Sequence, residues 1–398
     1  MSKMVPKVRF QGFTDDWEQR KLRELGDIQT GNTPSTSDDN NYAESGMLWV
    51  TPTDINSLIL SDTAKKLSDL GRSKSRIAKA GSILVTSIAS IGKNALVTTN
   101  VGFNQQINSL TPTDENDSYF LLTQSENWSK KMKRTAASGT MQIVNKTEFS
   151  NIWTSVPKYN EQVKIGSFFN QLDNLITLHQ RKLDLLKEQK KGFLQKMFPK
   201  NGQLVPEVRF SGFTDDWEQR KIGNFLSESR IKGSDGSVAK KLTVKLWRKG
   251  IISKEEIYQG SSATQYYIRS AGQFMYGKLD FLNQAFGILP KELDGYESTL
   301  DSPSFDFKNK IDPNFFLEYV CLENFYKYQG NIANGSRKAK RIHVDTFFDM
   351  PIVVPTFEEQ QKIGSFFKQL DFSIAFQQRK LDMLKEQKKG FLQKMFVS

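Results

Sequence analysis

Two stretches of this chain occur twice. Residues 5–22 read VPKVRFQGFTDDWEQRKL and residues 205–222 read VPEVRFSGFTDDWEQRKI, identical at fifteen of eighteen positions. Glu161–Phe198 and Glu359–Phe396 match at thirty of thirty-eight, including the whole run KEQKKGFLQKMF. Between these pieces, Arg23–Asn160 and Gly223–Glu358 share no sustained identity. The pattern describes two units in which one frame carries two different inserts. A frame built twice places two unlike heads in related orientations.

A chain of 398 residues has room for two or more domains, each with its own core. Its 29 Phe and 11 Tyr suit a folded protein, not a disordered one. The formal net charge of +12 favours an anionic partner such as nucleic acid or a membrane surface. A protein that is merely basic is the alternative. The single cysteine, Cys321, excludes an intramolecular disulfide and points to a reducing compartment. The start, MSKMVPKVRF, has no apolar stretch of the secretory kind. No apolar run is long enough to span a bilayer. A cytoplasmic location and no membrane partner are expected.

The second repeat predicts two long helices. Phe169, Leu172, Ile176, His179, Leu183, Leu186, Lys190, Phe193 and Met197 step by three and four without a break, an a/d heptad seam. The later copy keeps it through Phe367, Leu370, Ile374, Gln377, Leu381, Leu384, Lys388, Phe391 and Met395. Thr356 and Glu359 after Pro355 have capping-box spacing, and Asn160 after Pro157 is a good N-cap residue. Each helix would run roughly 55 Å. Gly192 and Gly390 weaken the pattern by about 1 kcal/mol each. The two seams share one pattern, so each helix is the expected partner of the other, paired antiparallel. Packing on separate domains, or between chains, is the alternative.

Both inserts read as mixed α/β domains with short strands. In the first, Met47–Ile55 is a strand running into a turn, Gly81–Ser87 a short buried strand with a Gly entry, Ile91–Lys93 with Asn94–Val97 a hairpin return, and Ser118–Ser138 more helical. In the second, Lys240–Leu246 alternates like a strand, Gln265–Ile268 and Gly272–Gly277 read as strand and turn pieces, and Phe315–Tyr328 as a helix. Each insert ends in a Gly-led loop, at Gly139 and Gly335, then a short element, a proline and a long helix.

No catalytic constellation holds together. Gly272–Lys278 has phosphate-loop spacing, but Leu279 stands where a Ser or Thr would be needed, and Phe, Met and Tyr inside it suit a strand better. Asp312-Pro313-Asn314-Phe315 lacks the second proline of the adenine-methyltransferase motif it hints at, with no Gly-rich loop before it. One Cys and two His cannot build a Cys/His-rich zinc site.

Two variable inserts alternating with two repeated helices, each announced by Pro157 then Glu161-Gln162 or Pro355 then Glu359-Gln360, resemble the specificity subunit of type I restriction-modification enzymes. Gly31–Pro34, Trp49–Asp54, Gly81–Ser87, Ile91–Lys93 and Asn104–Ile107 support the resemblance in the first insert. Gly272–Lys278, Ser302–Phe305 and the Gly335 loop support it in the second. The resemblance implies an α/β (α+β) fold: two globular mixed α/β target recognition domains joined by two long antiparallel coiled-coil helices, with pseudo-twofold symmetry. The expected divisions are 1–158, 159–200, 201–356 and 357–398, recognition domain alternating with helix.

It also implies a non-catalytic DNA reader. Each insert would read half of an asymmetric bipartite target in double-stranded DNA. The helices would set the unread spacer and dock two modification (methyltransferase) subunits. Two restriction (endonuclease/translocase) subunits would complete the complex. This chain would bind no cofactor or metal; S-adenosylmethionine, ATP and Mg would sit on the partners. A coiled-coil scaffold with peptide-binding inserts, and an enzyme with an unrecognised site such as a fused endonuclease, are the rival readings.

Phosphate contacts supply affinity and base-edge contacts supply choice. In the first domain the candidates are Lys65, Lys66, Arg72, Lys74 and Arg76, with Ser87, Lys93, Thr140 and Gln142 for the groove. In the second they are Arg230, Lys240, Lys241, Lys278, Arg337, Lys338, Lys340 and Arg341. For any single one, a solvated surface position is the alternative. Lys130–Arg134 reads as a charged helix face.

Overall fold

In the repeated WEQRK segment Trp17 and Trp217 enter the two cores, whereas the polar Glu18–Lys21 and Glu218–Lys221 fold as strands. The computed structural model describes residues 4–137, 143–200, 202–255, 260–308, 310–332 and 341–397. It divides into two units: Met1–Gln180 with Arg379–Ser398, and Arg181–Gln378.

In the first unit the strands and helices follow as β1 (Glu18–Lys21), β2 (Gly26–Thr30), β3 (Tyr42–Ala43), β4 (Met47–Val50), β5 (Ile59–Leu60), β6 (Lys65–Leu67), α1 (Asp69–Lys74), β7 (Ile77–Ala78), β8 (Ile83–Thr86), β9 (Asn94–Val97), β10 (Val101–Phe103), β11 (Ile107–Pro112), α2 (Ser118–Ala137), α3 (Lys146–Ser150), β12 (Trp153–Val156) and the start of α4 (Tyr159–Lys196). The central sheet has the order β2-β11-β8-β9-β5 and a second sheet β3-β6-β4-β10-β7; β1 pairs with β12. Residues 83–86 are buried at every position, as a strand covered on both faces must be.

In the second unit come β13 (Glu218–Lys221), β14 (Leu226–Ser229), β15 (Lys232–Asp235), β16 (Leu242–Val244), β17 (Ile251–Ser253), β18 (Gln265–Ile268), β19 (Phe274–Tyr276), β20 (Phe286–Ile288), β21 (Glu297–Ser298), β22 (Ser304–Phe307), α5 (Pro313–Val320), α6 (Glu323–Ile332), α7 (Val344–Asp349), β23 (Pro351–Val354) and the start of α8 (Phe357–Lys394). The central sheet is β14-β22-β19-β20, and β13 pairs with β23 as β1 does with β12. The sequence predicts one helix over 315–328. The chain instead breaks at Cys321 and Leu322 into α5 and α6. Buried apolar residues continue across the break at Phe315, Phe316, Val320, Leu322, Phe325 and Tyr326, so periodicity does not reveal it.

Each unit contains the first half of one long helix lying antiparallel on the last half of the other. In the first unit Phe168 meets Phe391 at 5.0 Å and Phe169 meets Phe396 at 5.7 Å. In the second, the matching residues Phe366 and Phe193 meet at 5.0 Å, and Phe367 and Phe198 at 5.9 Å. Of the seam, Phe169, Leu172, Leu183, Phe367, Leu381 and Leu384 are buried; Ile176, Leu186, Phe193, Leu370, Ile374 and Phe391 are partly buried. The seam lysines are ion-paired: Lys388 Nζ lies 2.7 Å from Asp173, and Lys190 Nζ 2.6 Å from Asp371. Each ammonium is therefore compensated where it enters the helix pair.

The Glu-Gln pair that announces each helix has a structural task. Arg9 donates to both oxygens of Glu161, at 2.6 and 2.7 Å, and Arg209 does the same to Glu359, at 2.7 and 2.8 Å. Both carboxylates are almost fully buried. Gln162 accepts from the Asp117 N–H and donates to the Pro157 carbonyl; Gln360 accepts from Asp312 and donates to Pro355. Asp117 and Asp312 in turn accept from Phe120 and Phe315, capping α2 and α5. The capping expectations are corrected accordingly. Thr356 Oγ1 does accept from the Glu359 N–H, but Glu359's side chain goes to Arg209 and does not close the box. In the other helix α4 already begins at Tyr159, so Asn160 lies inside its first turn.

Gly166 and Gly364 permit this close approach. A Cβ at either would collide with the capping aspartate and stand 2.9 Å from Phe120 N or 2.8 Å from Phe315 N. Gly166→Ala is expected to lower stability by about 1–3 kcal/mol. Gly192→Ala, with nothing within 4 Å of the new carbon, should raise it by about 1 kcal/mol. Urea denaturation of both variants checks the opposite signs.

Candidate nucleic-acid interface

The two central sheets are built alike although their letters differ. Gly81 and Gly272, each at φ +86°, open β8 and β19. Gly81 donates to Val97 and Gly272 to Leu289; six residues on, Ser87 donates to Gln106 and Lys278 to Asp301. The Ser87 carbonyl then accepts from Val144, and the Lys278 carbonyl from Ile342. One place in the fold therefore carries Ser87 in the first unit and Lys278 in the second. The phosphate-like spacing of Gly272–Lys278 is this buried strand. Asp312-Pro313 is the N-cap and first turn of α5.

In the first unit Lys65 and Lys66 lie on β6, and Arg72 and Lys74 on α1, which packs on it. Lys65 stands 5.2 Å over the Tyr42 ring and Lys66 pairs with Asp62 at 3.3 Å. Lys74 donates to Asn41 at 2.9 Å, and Arg76 to the Thr30 carbonyl at 2.6 Å. Lys65, Arg72, Lys74 and Arg76 are exposed. Exposed Lys93 reaches the Pro52 carbonyl at 3.3 Å.

Two expected contacts are corrected. Ser87 is buried, and its hydroxyl donates to the Gln106 carbonyl at 3.0 Å inside the domain. Lys241 is also buried, its ammonium 5.5 Å from the Tyr266 ring. Neither presents a polar atom to a duplex. Thr140, Gln142, Arg337, Lys338 and Lys340 lie outside the described residues.

The second unit gathers Arg230, Lys278 and Arg341 from three distant stretches of chain. Arg341 pairs with Asp301 at 2.8 Å, and Arg230 with Glu228 at 2.7 Å. Partial burial pulls the Lys278 ammonium below the usual lysine range. Arg341 and Arg230 push the same way, while Glu228 and Asp301 oppose them. Lys240 is exposed elsewhere, 5.9 Å from the Tyr296 ring. The acidic members of this cluster, Glu228 and Asp301, are not apparent from the run of basic residues in the sequence.

A second apolar stripe was also missed. Off the seam, Leu178 and Leu185 on α4 and Phe376 and Met383 on α8 are more than half exposed. Each pair is separated by one heptad, a spacing visible in the sequence. Among the described residues, no group of three or more His, Cys, Asp or Glu side chains could hold a metal ion. No described helix is long and apolar enough to cross a membrane.

Residues 14–188 match the family model of the type I restriction modification DNA specificity domain. Over those residues the chain is similar to the specificity subunits of type I restriction-modification enzymes. Type I restriction enzyme MjaIX specificity subunit of Methanocaldococcus jannaschii is 24% identical over 229 residues, 53% of this chain and 52% of that protein. The HindI specificity subunit of Haemophilus influenzae is 31% identical over 164 residues, 39% of this chain and 36% of that protein. The alignments thus span about half, or less, of these relatives. The type I restriction-modification S subunit from M. genitalium shares the fold over 99% of this chain and 100% of its own, with a TM-score of 0.67 at 14% identity.

Proposed function

We propose that this chain is the DNA-reading subunit of a type I restriction-modification complex, with each unit reading one half of a bipartite target. One observation carries the proposal: the two units are built on matching strands and a repeated frame but expose different basic side chains, Lys65, Arg72, Lys74 and Arg76 in the first and Arg230 and Arg341 in the second. Same frame and different surface is what two unlike half-sites require. Exposed lysines and arginines would hold phosphates and give the binding its salt dependence.

On this reading α4 and α8 set the unread spacer. Their exposed stripes at Leu178, Leu185, Phe376 and Met383 would dock two modification subunits, since apolar residues at heptad spacing fit partner helices. Two restriction subunits would join them. S-adenosylmethionine, ATP and Mg would belong to those partners, and the complex would work in the cytoplasm beside the DNA.

Sequencing methylated adenines in a host with and without this chain tests the proposal. The expected result is a two-part motif with unlike halves, present only with the chain. A motif with identical halves, or none that depends on the chain, would overturn it.

A further inference from the structure

Glu228 places a carboxylate where the twin unit has an apolar core residue. Counted from the repeated tryptophans, Trp17 and Trp217, it holds the place that Ile28 holds in the first unit. Ile28 is a buried core residue opposite Leu110 on β11; Glu228 lies opposite Phe305 on β22. Directly opposed residues share a sheet face, so the carboxylate lies on the face of Phe305, whose ring stacks on Tyr276 at 5.7 Å. Its side chain is 12% exposed. Oε2 takes Arg230 at 2.7 Å, whereas Oε1 is buried and accepts no hydrogen bond among the described residues. A buried acceptor without a donor costs stability, and an apolar residue fits this register in the twin domain. Residues that break such a rule mark function more often than packing.

The surroundings say what the carboxylate could meet. Its exposed partner Arg230, with Lys278 and Arg341, forms the basic cluster of this unit. A polyanion brought there competes for Arg230 and frees Oε2 as an acceptor. A carboxylate has only acceptors to offer. In the major groove cytosine presents its N4 amino donor, while adenine sets an N7 acceptor beside its amino group and would repel the charge. We propose that Glu228 is a base-reading residue of the second unit, which exchanges Arg230 for the N4 amino group of a cytosine in that half-site. The assignment rests on the DNA-reading function proposed above.

One rival role is structural. Among the described residues, buried Arg269 hydrogen-bonds neutral partners, including Ser298, Ser304 and the Ser229 carbonyl. Burial pulls its guanidinium down to about 10, with Glu228 opposing that pull. If Glu228 serves only as this counter-charge, or only to orient Arg230, it reads nothing.

Sequencing the duplexes that the purified full chain retains from a random pool separates these roles. Wild type is expected to require cytosine at one position of one half. Glu228→Gln should relax that preference about tenfold or more and leave every other letter intact. Arg230→Ala, an exposed change, should weaken retention and keep the cytosine. A half-site without cytosine, an unchanged letter in Glu228→Gln, or loss of the cytosine in Arg230→Ala would overturn the assignment. Wild type retaining no defined sequence would instead overturn DNA reading itself.

Discussion

Arg209→Ala is expected to destabilise the second unit by about 3–5 kcal/mol, because it strands a buried carboxylate. Glu359 is wholly buried and both its oxygens are taken by the Arg209 fork, at 2.7 and 2.8 Å. Water cannot replace those donors. Arg209 Nη2 also donates to the Asp215 carbonyl at 2.6 Å, so the substitution releases the repeated arm as well. Lysine at 209 offers a point charge in place of the fork and should recover only part of the loss. The same chemistry at the surface gives the control. Arg220 pairs with Glu218 at 2.6 Å with both side chains more than half exposed. Arg220→Ala should cost about 0–1 kcal/mol. Urea midpoints of the three variants decide the matter. Equal effects at 209 and 220 would mean that burial does not set the energetics.

Lengthening both helices is expected to change the spacer of the methylated motif without touching its letters. Seven added residues preserve the seam and extend a helix by about 10 Å. At about 3.4 Å per base pair, that is up to about three more unread pairs. The insertions belong between Gln180 and Arg181 and between Gln378 and Arg379, where the two units divide. Contacts such as Phe168–Phe391 and Phe193–Phe366 then stay within their own units. Sequencing of methylated adenines reads both quantities at once. An unchanged spacer would remove the ruler role, and altered letters would mean that the helices also shape the reading surfaces.

Much of the architecture was legible because repetition and periodicity report it directly. The seam from Phe169 to Met197 gave the long helices, and its copy gave their pairing. The inserts were less legible. Their strands are two to six residues long, and their order depends on contacts across the chain. The break after Val320 hid because apolar residues continue through it. Glu359 looked like half of a capping box, since local spacing says nothing of an arginine 150 residues earlier. Among candidate contacts, Ser87 and Lys241 were chosen by residue type and are buried. Glu228 carries no such signal in the sequence, because a lone acidic residue in a basic chain does not stand out by charge, whereas base choice also needs acceptors.

The borrowed half-helix has a consequence for biosynthesis. Trp17 and Phe120 pack on Phe396, whose segment emerges from the ribosome roughly 200 residues after the rest of its unit. At about 5–20 residues per second, the nascent first unit must wait roughly 10–40 s with that aromatic surface uncovered. During that interval it offers chaperones, or another unfinished chain, a ready landing place.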